Sequence, residues 1–351
     1  MVKKVSFTKE ARTKEGRKKI REKLGTLKSL TVQDKTKARY KASLDDFFSY
    51  LRAEGLQLPT KREFMDDLIS DYLEYLWAQG EGRAVGSTFL AALQDHDPKL
   101  KHNLPSSWRL MKTWTTHEVP CRAPPLSEPV LKALVGWAIM QQHETFALSL
   151  LVGFYGLLRT GELLAIQAWQ IHMVSSTQPA VINLGLTKTG KRQGAAESVT
   201  LTEKNVLSNL WAWKNVVPPH TFLTLKPHAW RDLFSEALKK LKLEQWEFRP
   251  YSLRRGGATH LFTKNGSLDR VLIAGRWTAL KTARIYINSG LAMLSDIQIP
   301  KSLLSPFHHI FHTWISQPSL EPVAPKRAYR TGGRGKGHKV HKMKGGGRVV
   351  V

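Results

Sequence analysis

Tyr251-Ser252-Leu253-Arg254-Arg255-Gly256-Gly257-Ala258-Thr259-His260 is followed closely by Gly275-Arg276-Trp277-Thr278-Ala279-Leu280-Lys281-Thr282-Ala283-Arg284-Ile285-Tyr286. These two stretches decide the reading of the chain. A third lies far upstream: Gly156-Leu157-Leu158-Arg159-Thr160-Gly161-Glu162-Leu163. Together they supply two separated guanidiniums, an indole N–H and a phenol. That set suits attack by a tyrosine on a phosphodiester without a metal. In a chain of formal net charge +26, the phosphodiester expected is DNA.

Composition sets the outer limits. At 351 residues the chain is long enough for two domains. Its hydrophobic content, 42%, is that of a globular protein, so most of it is expected to fold. The single cysteine, Cys121, excludes an intrachain disulfide and any cysteine-based zinc site. The start, Met1-Val2-Lys3-Lys4-Val5-Ser6, does not read as a secretory signal, and no apolar run is long enough to span a bilayer. The expected location is nuclear in a eukaryote and otherwise cytoplasmic or nucleoid, with no membrane partner.

Residues 1–29 read as a basic arm. From about residue 30 to 117 the pattern is helical, with Tyr40, Leu44, Phe47, Phe48 and Leu51, then Phe64, Leu68, Tyr72, Leu73, Tyr75 and Leu76, recurring on apolar faces. Those aromatics are expected in a core rather than as base-stacking platforms. Residues 118–126, with Pro120, Pro124 and Pro125, read as a linker. Ser127 and Pro129 then open a second domain, 127–316, in which Ala180 to Leu186 and Val199 to Leu201 predict a hairpin with a basic tip. A helix over 303–315 is a candidate for docking on a neighbouring protomer, or for packing on its own domain. Residues 317–351 are Pro-rich, then Gly-, Lys- and Arg-rich, and are expected to be disordered. The fold class expected is mainly α with a small β-hairpin or sheet.

The motifs resemble those of the tyrosine recombinases of the phage-integrase superfamily, over residues 31 to about 316. The stretch around Arg159 is similar to the family's first arginine box, with an acidic residue, Glu162, three positions on. Leu186-Thr187-Lys188-Thr189 resembles the hairpin that carries the catalytic lysine, although Lys191 and Arg192 are rivals for that place. Tyr251-Ser252-Leu253-Arg254 resembles the His-x-x-Arg box, and Gly275-Arg276-Trp277 the His/Trp box. Tyr286 stands at the family's spacing from Trp277.

The resemblance implies an N-terminal helical core-binding (SAM-like) domain and a mixed α/β catalytic domain. It implies Arg159 and Arg254 clamping a phosphate, which lysine could not reproduce geometrically. Tyr286 would form a 3′-phosphotyrosyl link, Lys188 would protonate the leaving 5′-oxygen, and Trp277 would donate its indole N–H. Arg255 would add charge beside the same phosphate. No metal or other cofactor is called for. The implied partners are double-stranded DNA and a homo-tetramer on it, in recombination or integration of a mobile element.

Each residue also has a plain structural reading: Arg159–Glu162 as a surface pair, Trp277 as core, Tyr286 as a helix-face aromatic. The departure from the family is Tyr251, where a histidine is usual. A neutral phenol donates a hydrogen bond but is a poor base near neutrality. That leaves a domesticated DNA-binding protein as the alternative, with a type IB topoisomerase-like enzyme as a third.

Overall fold

The computed structural model describes residues 9–118, 121–187, 190 and 194–316. The tail beyond residue 316, the first eight residues, and Lys188, Lys191 and Arg192 lie outside the described residues. Chain contacts divide it into two compact units, Met1–Cys121 and Arg122–Val351.

The first unit is helical. Helix α1 (Lys14–Leu24) is capped by the Thr13 hydroxyl and buries no residue, consistent with its almost uninterrupted charge. Helices α2 (Asp34–Ala53), α3 (Arg62–Ala78), α4 (Arg83–His96) and α5 (Pro105–His117) build the core, α2 lying on α4 and α3 on α5. Its centre is aromatic: Phe47, Tyr72 and Phe89 meet pairwise at centroid distances of 4.8–4.9 Å. The expectation of a core role holds for Phe47 and Tyr72 and fails for Phe64 and Tyr75, which are exposed; Phe89 joins the core from a helix whose aromatic was not singled out. Asp66 ties α3 to α5. Its buried carboxylate accepts from Ser106 N–H at 2.8 Å, Ser107 N–H at 3.0 Å and the Ser107 hydroxyl at 2.6 Å. Burial alone would raise the Asp66 pKa; those donors outweigh it and hold the carboxyl below its ordinary value.

The second unit is mainly helical around a small sheet. Helices α6 (Glu128–Met140), α7 (Glu144–Tyr155) and the single turn α8 (Thr160–Leu163) lead into β1 (Ile171–His172), β2 (Ala180–Gly185) and β3 (Glu197–Leu201). The strands run antiparallel in the order β1-β2-β3, with Ile171 opposite Ile182 and Val181 opposite Thr200. Strand β2 turns Ala180, Ile182 and Leu184 inward, and β3 turns Glu197, Val199 and Leu201 inward. The predicted hairpin is therefore present, joined by a third, two-residue strand too short to announce itself in sequence.

Six further helices follow: α9 (Lys204–Val216), α10 (Pro227–Lys240), α11 (Pro250–Asn265), α12 (Leu268–Gly275), α13 (Leu280–Tyr286) and α14 (Ser289–Gln298), then a final α15 (Lys301–Ser316). Helix α15 packs on α6 of its own unit, burying Leu304, Phe311 and Trp314. Helix α11 begins at Pro250, whose missing N–H would be unbonded there in any case. It ends on Gly266 in the left-handed conformation (φ 64°), whose N–H returns to Phe262 O. Among the described residues, no helix is long and apolar enough to cross a membrane.

Candidate active site

Two glycines set the site from below. A Cβ on Gly257 would stand 2.0 Å from the Phe154 carbonyl oxygen of α7, and one on Gly256 would stand 1.9 Å from that of Leu126. Only glycine lets α11 approach those backbones so closely. That contact fixes Arg254, one turn earlier on α11, beneath the chain segment that follows α7.

Arg254 is fully buried. Its Nη1 donates to the Leu157 carbonyl and its Nη2 to the Gly275 carbonyl at 2.6 Å. The guanidinium lies 4.7 Å from the Trp277 ring centroid and 5.6 Å from that of Tyr286. Burial, then the charges of Arg159 and Arg276, lower its pKa to about 10. The backbone around it is unusual. Leu157 (φ 46°) and Arg276 (φ 56°) are both left-handed, a conformation that costs a non-glycine residue about 1–2 kcal/mol. One supplies a carbonyl to Arg254 and the other follows the residue that supplies the second. Strain of this kind gathers where the surroundings over-determine a geometry.

Arg159 caps α8 and holds Glu162 at both ends: N–H to Oε2 at 3.0 Å and Nη1 to Oε1 at 2.6 Å. Burial alone would lower the Arg159 pKa, but the bond to Glu162 and the charges of Glu162 and Glu197 outweigh it. Glu162 in turn accepts from Arg276 Nη2 at 2.7 Å. Burial would raise its carboxyl; Arg276 and Arg159 together keep it below the ordinary range.

The aromatic side is formed by α11 to α13. The Trp277 and Tyr286 rings lie 4.4 Å apart, and the Tyr286 and Tyr251 rings 5.7 Å apart. A Cβ on Gly275 would strike the Trp277 ring at 2.0 Å, so the indole rests on bare backbone. The hydroxyls of Tyr251 and Tyr286 are hydrogen-bonded to each other. Burial, and then that bond, raise the Tyr251 phenol above its ordinary value. Tyr286 ends α13, and its segment is held by α11: Arg255 Nη2 donates to Ile285 O at 3.0 Å, and the Thr259 hydroxyl accepts from Asn288 N–H at 3.2 Å. The other end of Arg255, Nη1, donates to Ala123 O at 2.7 Å. Its guanidinium is thus a brace between two chain segments.

Of the eight residues singled out in the sequence, the structure brings Arg159, Glu162, Tyr251, Arg254, Trp277 and Tyr286 into one cluster, with Arg255 bracing it. Lys188 lies outside the described residues. Sequence reasoning missed Arg276 and Glu197. Glu197 accepts from the Thr187 hydroxyl at 2.6 Å and lies 4.0 Å from Arg159 and 3.9 Å from Arg276. Its signal was readable: it is a carboxylate at an inward position of a strand whose next inward residues are Val199 and Leu201. No group of acidic, histidine or cysteine side chains among the described residues could hold a metal ion.

No protein-family model matches the chain, and none of the curated proteins matches it. Solved structures do. The XerH site-specific recombinase in a post-cleavage complex with palindromic difH substrate superposes with a TM-score of 0.52 at 14% identity, covering 74% of this chain and 78% of that one. A lambda integrase dimer bound to a COC′ core site gives 0.50 at 13% identity, covering 76% and 75%. At that identity the likeness is one of architecture, which spans three quarters of the sequence. The fold of this chain is that of the tyrosine recombinases.

Proposed function

We propose that this chain breaks and rejoins DNA strands through a 3′-phosphotyrosyl link on Tyr286, in site-specific recombination or integration of a mobile element. The observation that carries the reading is the meeting of Arg159, Arg254, Trp277 and Tyr286, brought together around one buried guanidinium although the first and last lie 127 positions apart. Support for DNA as the partner comes from the net charge of +26 and from the neighbours' complexes, XerH with its difH substrate and lambda integrase with a COC′ core site.

In this reading the Tyr286 oxygen attacks phosphorus and the 5′-oxygen leaves, taking a proton from Lys188. The phenol proton of Tyr286 passes to the Tyr251 oxygen, while Tyr251 hands its own proton to a phosphate oxygen. Tyr251 thus relays a proton without standing as a phenolate, a path that its raised pKa favours. Positive charge fixed in place before reaction stabilises the added negative charge on phosphorus; by analogy with oxyanion holes, each such donor contributes about 3–4 kcal/mol. The link stores the energy of the broken bond, so religation needs no ATP.

A suicide DNA substrate, nicked so that the released end diffuses away, tests this. The parent chain is expected to form a denaturant-resistant DNA adduct. Tyr286→Phe is expected to form none while binding DNA as before. Tyr251 in place of histidine favours a second reading, a DNA-binding protein that no longer cleaves. Binding without any adduct on a cognate site would establish it.

A further inference from the structure

Arg276 occupies a backbone position where glycine is the comfortable choice (φ 56°), yet it carries a long cation whose side chain is only 9% exposed. Burying a guanidinium on a strained backbone calls for a reason, and its surroundings supply one. Glu162 and Glu197 each face both Arg276 and Arg159. These two carboxylates orient the arginines, but they also cancel charge. Counted among the described residues, Arg159 and Arg254 alone would be matched by the two carboxylates, which would cancel their charge. With Arg276, three guanidiniums face two carboxylates, and one positive charge remains. The three cations sense one another, since Arg159 and Arg276 both depress Arg254. The Nε and Nη1 of Arg276 are buried and find no hydrogen-bond partner among the described residues, so the cluster has donor capacity that its own acceptors leave unused.

We propose that Arg276 sets the charge of the phosphate site: it shares Glu162 with Arg159 and offsets Glu197, so that the arginine cluster meets a phosphodiester with net positive charge. This rests on the phosphoryl-transfer reading of the same site. Arg276 is a positioning residue that acts through the carboxylates. Glu197 also holds the Thr187 hydroxyl, so the arginine cluster and the end of the hairpin's first arm share one carboxylate. The Thr187 oxygen in turn accepts from Gly190 N–H at 3.0 Å.

Single-turnover cleavage of the suicide substrate separates a charge role from a scaffold role. Arg276→Gly relieves the left-handed backbone and deletes the charge. It is expected to cut the cleavage rate about 100-fold with little change in DNA affinity, the scale of losing one unit charge a few ångströms away at an effective dielectric of ~20. Arg276→Lys, which keeps the charge, is expected to stay within about 10-fold of the parent, in contrast to lysine at Arg159 or Arg254. The decisive variant is Arg276→Gly with Glu197→Gln. Removing the opposing charge is expected to recover at least about 10-fold over Arg276→Gly alone, because the cluster regains one positive charge. Parent-like cleavage by Arg276→Gly would overturn the proposal. So would a double variant slower than the single, since a scaffold loses further when a second partner goes.

A catalysis-free arm keeps the two readings apart. Inorganic phosphate is titrated into each protein and followed by phosphorus NMR, with Arg159→Ala marking the share of binding that belongs to the cluster. That share is expected to weaken about 10-fold in Arg276→Gly and to return in the double variant, whether or not the parent forms a DNA adduct. An unchanged phosphate affinity in Arg276→Gly would refute the charge role even if the parent cleaves DNA.

Discussion

Arg254→Lys tests the central guanidinium. Arg254 holds two carbonyls at once, those of Leu157 and Gly275, from a fully buried position. A lysine ammonium keeps the charge, and with it the desolvation penalty, but reaches only one of the two oxygens. The other is left buried without its donor. A hydrogen bond to a charged group is worth about 1.5–3 kcal/mol, so one lost bond sets the expected destabilisation. The second unit is of a size for which 1 kcal/mol shifts the unfolding temperature by about 2–4 °C, which predicts a fall of roughly 3–12 °C. Differential scanning calorimetry of parent and variant measures it, and single-turnover cleavage on the same samples tests whether charge without the planar fork supports reaction. The fork is expected to be required, so cleavage should stay crippled even below the variant's melting range. An Arg254→Lys protein that melts with the parent would show that the two carbonyls are not held through this side chain. Normal cleavage would remove the bidentate argument as well.

Other outcomes follow from the same geometry. Tyr251→Phe removes one hydroxyl from the pair with Tyr286 and is expected to slow cleavage by about 1.5–3 kcal/mol, whereas Tyr251→His should preserve or raise the rate; a phenylalanine variant as fast as the parent would make the relay idle. Gly257→Ala drives a methyl into the Phe154 carbonyl and is expected to destabilise the second unit by at least about 1–3 kcal/mol, read by urea unfolding. In the first unit, the depressed carboxyl of Asp66 contributes stability that is complete above the unfolded value near 4 and is lost as pH falls through the lower folded value. Asp66→Asn should therefore speed hydrogen exchange at the Ser106 and Ser107 amides at pH 7 and flatten its acid dependence; unchanged exchange at pH 7 would refute the tie.

The elements that were legible in sequence are those whose signal is local. Helix α11 carries its own proline at the start and glycine at the end, and β2 alternates cleanly enough to be read by eye. Strand β1 has two residues and exists only because β2 is beside it. The site divides the same way. Arg254, Trp277 and Tyr286 sit at spacings that a motif can hold. Arg276 was in plain view inside the Gly275-Arg276-Trp277 run, but its partner Glu162 lies 114 residues upstream, and nothing local marks the pairing. Arg255 is expected from the family resemblance to add charge beside the phosphate, but its bonds to the Ala123 and Ile285 carbonyls, 132 and 30 residues away in sequence, have no local mark. Which way each faces is settled by α11 and its close contacts, not by composition.

Those contacts have a consequence for how this protein can vary. Because Gly256 and Gly257 bring α11 against the bare carbonyls of Leu126 and Phe154, the spacing between the Arg254 segment and the Arg159 segment is a property of main chain touching main chain. Side-chain volume in the surrounding core acts on it only at second hand, through neighbours such as the Phe154 ring and Leu157. Leu, Ile and Phe positions nearby are free to drift in size as long as they stay filled. A side chain at Gly257 would push α11 off the Phe154 carbonyl of α7, and with it the spacing between the two arginine segments.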